Sequence, residues 1–124
     1  MPKRKKNIKK KSIAQLKKKA DGLLQEWYRS QSNYKCEVCR KRAQVMHHFF
    51  TKRMSSSLRY EDENLIKLCN GCHSLHHKNN DPRIHGTVMV KRGLKWYKDL
   101  LILKEKKVKI SKSYYRDMIE KYKL

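Results

Sequence analysis

Two Cys-x-x-Cys pairs, Cys36/Cys39 and Cys69/Cys72, enclose a His47-His48 dipeptide and Asn64, and His73, His76 and His77 follow directly. Two residues between paired thiolates let both sulfurs reach one tetrahedral ion at about 2.3 Å, so the four cysteines predict a structural zinc site with no thiol left over. Redox Cys-x-x-Cys pairs would call for a βαβ context, which the sequence lacks. The histidines carry a second chemistry. Adjacent side chains on a strand diverge, so His47 and His48 can separate into one metal ligand and one residue that works beside the metal. His73 and His77 stand four apart on an expected helix and share a face. With His47 they can hold one ion and leave positions open for water and a phosphate oxygen. His76 is read as a helix-end cation or an alternative third ligand. His85 is read as bland. His48, whose ordinary pKa lies near working pH, is then available as a general base.

These residues need elements to hold them. The chain has 124 residues, enough for one domain with an appended helix or tail. Apolar residues make up 38% and charged residues 35%, a thin supply for a core that a metal staple would help close. Residues 1–12 are mostly Lys and Arg, and a disordered basic arm is expected there. Ile13, Leu16, Ala20, Leu23, Leu24 and Trp27 recur at helical spacing, giving an amphipathic helix over 13–30 with Ser12 as its N-cap. The zinc-bound core is placed at 31–85. Within it Cys36–Cys39 forms a knuckle, Gln44 to Phe50 a short strand, Thr51 to Glu63 a loop, Leu65 to Leu68 a second strand and Asn70 to Lys78 a helix. Asn79-Asn80-Asp81-Pro82 reads as a stop signal. Residues 86–124 form a C-terminal helical extension. Leu94, Tyr97, Leu100 and Leu101 line one face there, and a terminal helix carrying Tyr114, Met118, Ile119 and Tyr122 follows a Ser113 cap.

The formal net charge of +22 comes from 33 Lys and Arg against 11 Asp and Glu. Self-repulsion on that scale asks for a polyanion, and nucleic acid is the expected partner. Lys52, Arg53 and Arg59, in the loop between the strands, are candidates for phosphate contacts. The N-terminal arm and Lys104, Lys106, Lys107 and Lys109 add sequence-neutral affinity. Binding should therefore weaken steeply as salt rises, and a flat salt dependence in a filter-binding series would refute the polyanion reading. No secretory or membrane-spanning run is visible, so a soluble, cytoplasmic protein without a membrane partner is expected. The basic stretch Pro2 to Lys11 reads equally as a nuclear localisation patch or a DNA-binding arm.

The run His47-His48-Phe49, followed by Glu63-Asn64-Leu65-Ile66-Lys67-Leu68-Cys69-Asn70-Gly71-Cys72-His73, resembles the zinc-bearing branch of the HNH (ββα-metal) endonuclease superfamily. The resemblance implies an α+β fold: a small zinc-stapled ββα-metal, treble-clef-like core flanked by N- and C-terminal helices. It implies that His47 and His73 bind a catalytic ion, with His77 adding a ligand as in colicin-type DNases. His48 is the implied general base, and Asn64 the residue that pins the loop between the strands. The implied reaction is hydrolysis of DNA phosphodiester bonds: His48 deprotonates water, the ion polarises the phosphate and stabilises the departing 3′ oxygen, and 5′-phosphate ends result. One divalent ion is implied, and Mg²⁺, Mn²⁺, Zn²⁺ and Ni²⁺ are all compatible with an all-histidine site.

A narrower similarity to the phage NinG/Rap recombination nucleases covers roughly residues 13–105. It is carried by the Lys-rich opening helix, Phe49 to Arg53, Leu58-Arg59-Tyr60-Glu61-Asp62-Glu63-Asn64 and Lys91-Arg92-Gly93-Leu94-Lys95-Trp96-Tyr97. Those proteins often carry Gly-His where this chain has His47-His48, and Cys-Asn in place of Cys72-His73. The similarity implies a role in phage-type recombination or DNA processing in the host cell cytoplasm. DNA is the expected partner, with branched and single-stranded forms both open, and a second copy or a recombination protein is a further candidate partner. The alternative is a non-catalytic zinc-binding module for nucleic acid, which the cysteines and charge fit equally well. The histidines discriminate, because a binding module has no need of His48 beside a second metal.

Overall fold

A computed structural model describes residues 11–31 and 33–124. The expected disordered arm therefore lies outside the described residues except for its last two positions. The described chain is a small α+β fold of five α-helices and one two-stranded antiparallel sheet. None of these helices is long and apolar enough to cross a membrane.

Helix α1 spans Ile13–Arg29 and starts with a reciprocal cap. Ser12 Oγ accepts from the Gln15 N–H at 3.1 Å, and Gln15 Oε1 accepts from the Ser12 N–H at 2.8 Å. Leu16, Ala20 and Leu24 form its buried stripe. The chain divides into two compact units, residues 11–27 with 109–124, and residues 28–108. In the first, the last helix, α5 (Lys112–Lys121), buries Tyr115 and Ile119, and Tyr122 just beyond it lies edge-on to Trp27 at 5.8 Å. The cap of α5 is Ser111 rather than Ser113: the Ser111 side chain accepts from the Tyr114 N–H.

The second unit holds every cysteine and histidine. Strand β1 (Val45–His48) pairs antiparallel with β2 (Leu65–Leu68), in the register Val45↔Leu68 to His48↔Leu65. The first strand is shorter than the expected Gln44 to Phe50. The loop between the strands contains two single 3₁₀ turns, Ser56–Leu58 and Asp62–Asn64. Helix α2 (Asn70–Asn79) follows, capped by the Cys69 sulfur accepting from the Cys72 N–H and ended by Asn80 in the left-handed region at φ 49°.

The next helix, α3, occupies Pro82–Arg92, earlier than the sequence reading placed helical structure. Asp81 caps it by accepting from the Arg83 N–H at 3.0 Å, and Pro82 sits where its missing N–H costs nothing. The end of α2 at Asn80 and the start of α3 at Asp81 thus fall on adjacent residues, and α3 runs across the expected core boundary at 85. Gly93, at φ 94°, turns the chain into α4 (Leu94–Glu105). On α4 Leu100 is buried, while Leu94, expected on the apolar face, is 65% exposed.

The core of this unit gathers Phe49, Phe50, Leu58, Ile66, Leu68, Ile84, Val88 and Leu100 around Cys36 and Cys72. Arg92 ties its edges together. Its guanidinium donates to both Glu37 oxygens at 2.9 and 2.7 Å, and to the carbonyls of Glu63 and Leu65 at 3.0 and 2.9 Å. Glu37 in turn accepts from the Lys67 N–H at 3.0 Å. One side chain on α3 thereby fastens the first cysteine knuckle to β2.

Candidate metal centres

The first cysteine pair sits in a tight turn. The Arg40 N–H donates to the Cys36 carbonyl at 3.0 Å, Arg40 adopts φ 69°, and the Cys36 N–H donates back to the Lys41 carbonyl at 2.7 Å. The second pair brackets the start of α2. The four sulfurs of Cys36, Cys39, Cys69 and Cys72 lie within 4.8 Å of one another, with Cys39 and Cys69 at 3.5 Å. A tetrahedral ion with sulfurs at about 2.3 Å requires sulfur separations near 3.8 Å, so the cluster is compatible with a structural metal site. Burial pushes the Cys36 thiol up, but the backbone N–H groups of Cys39, Cys69 and Val38 outweigh it and bring it down to about 7. Burial pushes Cys72 up, and the neighbouring thiols add to this.

The histidines form a separate cluster. His47 points to the buried side of β1 at 4% exposure. Around it, at ring separations of 5.3, 4.8 and 5.2 Å, stand His73, His76 and His77 from α2, and His85 from α3 lies at 5.1 Å. Two groups of three have their ligand nitrogens within 4.8 Å of one another: His47, His73 and His77, and His47, His76 and His85. Burial pulls the His47 pKa down to about 2, and the surrounding imidazoles add to it, His85 and His76 first. Burial likewise takes His85 down to about 4 and lowers His73 and His76. All four are thus neutral near pH 7, the form that binds metal. The two groups contain imidazoles only.

His85 corrects the sequence reading, which set it aside. Its Nε2 lies 2.9 Å from His47 Nε2, and its ring stacks on Phe49 at 4.4 Å and on His76 at 4.2 Å. His76, read first as a helix-end cation, turns inward as well. The legible signal was Asp81-Pro82 taken as a helix start, which places His85 on the first turn of α3.

His48, one residue on, leaves the cluster. Its Nε2 lies 2.8 Å from the Arg59 carbonyl. A carbonyl only accepts, so Nε2 donates, and in the neutral imidazole the lone pair is on Nδ1. Asn64 is fully buried at the far end of the loop. Its Oδ1 accepts from the Phe50 N–H at 2.8 Å, and its Nδ2 donates to the Phe50 and Leu58 carbonyls at 3.0 and 3.1 Å. Asn64→Ala would strand one buried donor and two buried acceptors, and a loss of about 2–4 kcal/mol is expected. Urea denaturation measures it, and a change below about 1 kcal/mol would show that the clamp does not hold the loop.

Lys52 and Arg53 are exposed on the loop, as phosphate contacts require. Arg59 is not: it is 9% exposed, with its guanidinium 6.0 Å from the Tyr60 ring. Its backbone carbonyl is the group that meets His48 Nε2.

Fold and site together define a small α+β protein with a four-cysteine cluster and a neighbouring cluster of five histidines. In comparisons with known proteins no family model matches the chain, and no curated protein or solved structure matches it either.

Proposed function

We propose that this chain is a metal-dependent endonuclease of the HNH type that hydrolyses DNA phosphodiester bonds, with zinc held by Cys36, Cys39, Cys69 and Cys72. The observation that carries the reading is the divergence of His47 and His48 at the end of β1. One enters an all-imidazole group that could hold a metal ion, and its neighbour turns its Nε2 to the Arg59 carbonyl, which in the neutral ring leaves the lone pair on Nδ1.

His47, His73 and His77 would hold the catalytic ion, and their closely spaced nitrogens fit that task. When bound, the ion supplies Lewis-acid polarisation of the phosphate and charge stabilisation at the leaving oxygen. The remaining work falls to the chain itself. His48 accepts the proton of the attacking water at Nδ1. The Arg59 carbonyl fixes the ring that does so, and Asn64 fixes the loop that carries the carbonyl. Lys52 and Arg53 offer phosphate contacts, and the net charge of +22 supports binding to a nucleic-acid backbone. With no base-reading element in view among the described residues, the proposed selectivity is for shape or junctions, or is supplied by a partner, and the proposed setting is phage-type recombination or DNA processing.

Relaxation of supercoiled plasmid, with Mg²⁺, Mn²⁺ or Ni²⁺ and with EDTA, tests this. Metal-dependent nicking is expected. Tight DNA binding without cleavage of plasmid, branched or single-stranded DNA under any of the metals would overturn the nuclease reading in favour of a zinc-stapled binding module.

A further inference from the structure

The catalytic reading uses His47, His73 and His77 and leaves His76 and His85 without a task. Both are partly buried, on adjacent helices, and both turn toward His47. The His85 ring is held between Phe49 and His76 by near-parallel stacking, at interplanar angles of 20° and 15°. Its orientation toward His47 is therefore fixed by packing before anything binds. His85 Nε2 and His47 Nε2 are 2.9 Å apart, within hydrogen-bond distance, and spreading the pair to the roughly 3.3 Å that two nitrogens on one tetrahedral ion at about 2.0–2.1 Å each require is a small movement. A second observation points the same way: His76 Nδ1 is buried and has no hydrogen-bond partner among the described residues. A buried polar nitrogen without a partner is costly, and a ligand would relieve that cost.

We infer that His47, His76 and His85 form a second metal-binding triad, which takes a borderline transition-metal ion in place of the ion at His47, His73 and His77. The class of ion follows from the donors. Three imidazoles and no carboxylate favour Co²⁺, Ni²⁺, Cu²⁺ or Zn²⁺ over Mg²⁺. Exclusivity follows from His47, since a neutral imidazole has one lone pair and serves one ion at a time. The two triads also differ in setting. His77 is exposed, so the outer triad meets solvent, whereas His76 and His85 are both half-buried. The second triad stands on the imidazoles alone, and its test reads bound metal rather than cleavage.

The experiment is a Co²⁺ titration of the full chain already loaded with zinc at the cysteines, followed by visible absorption and calorimetry. Zinc should stay on the thiolates, because it outranks cobalt in intrinsic affinity. One histidine-bound Co²⁺ per chain is expected in the wild type. The variant H73A/H77A should keep that ion, and adding H85A should weaken it by at least about 100-fold. Failure of H73A/H77A to bind, while H76A/H85A binds like the wild type, would overturn the second triad and leave the nuclease reading untouched. Two histidine-bound ions per wild-type chain would overturn exclusivity. Proton NMR of the Co²⁺-loaded wild type is independent of whether the variants fold. Strongly shifted ring N–H signals should come from His76 and His85 as well as His73 and His77, and signals from the outer triad alone would refute the proposal.

Discussion

Replacing Cys72 with Ser should unfold the unit that spans residues 28–108, not merely loosen one end of it. The strands are four residues each, and a two-stranded sheet has little stability of its own. Cys36 and Cys72 are themselves core residues at 1% and 7% exposure, packed with Ile66, Leu68 and Val88. A metal there would join the first knuckle, the end of β2 and the start of α2 at one point. Structural zinc binds with about 10–16 kcal/mol at neutral pH, as much as the whole stability of an ordinary domain. A serine in place of a thiolate removes one of four ligands, and with it a share of that energy comparable to the stability margin, and places a hydroxyl in an apolar pocket. The expected result is loss of bound zinc together with loss of the cooperative melt in far-UV circular dichroism. A C72S protein that carries no zinc yet melts within a few degrees of the wild type would refute a structural metal. Chelation should act in the same way, so loss of activity in EDTA does not by itself separate a catalytic ion from the structural one.

What the sequence made legible, and what it hid, follows from how local each signal is. The apolar period of α1 and the run Leu65 to Leu68 are local patterns, and both elements stand where that pattern lies. The paired cysteines are also local, and the structure brings all four together. Helix α3 was hidden because Asn79-Asn80-Asp81-Pro82 carries two messages in four residues. Asn80 ends one helix in the left-handed region, and Asp81 caps the next. The stop is the more familiar message and masked the start. His85 was lost with it, since a histidine in a presumed loop has no geometry to argue from. His76 was read outward because α2 has little amphipathic pattern, so only the tertiary position of His47 reveals which side of that helix faces inward. Arg59 shows the opposite failure. In sequence it is one more cation in a basic loop, and its burial beside Tyr60 depends on how Asn64 folds that loop back on itself. The roles of these residues in a site are relations between elements, and period and composition do not encode them.

On the proposed nuclease reading, His48→Ala should reduce plasmid nicking by about 10²–10⁴-fold, the usual contribution of a positioned general base. The side chain lies on the opposite side of β1 from His47 and its imidazole neighbours, so any metal at the cysteines or histidines, and the melting temperature, should be unchanged in the variant. DNA affinity and its salt dependence should not move, because Lys52, Arg53 and the rest of the basic surface are intact. His47→Ala provides the contrast. It removes the one imidazole shared by both triads, so metal binding at the histidines and cleavage should fall together. A loss of nicking in H48A accompanied by loss of histidine-bound metal would mean that His48 acts as a ligand. Undiminished nicking in H48A would mean that the water is activated elsewhere and that the Arg59 carbonyl orients the ring for no catalytic purpose. Arg59 can be separated from its own side chain in the same assay. Because the contact to His48 Nε2 comes from the backbone carbonyl, Arg59→Lys should cost far less than H48A, whereas a larger loss would return the guanidinium to the list of phosphate-binding groups.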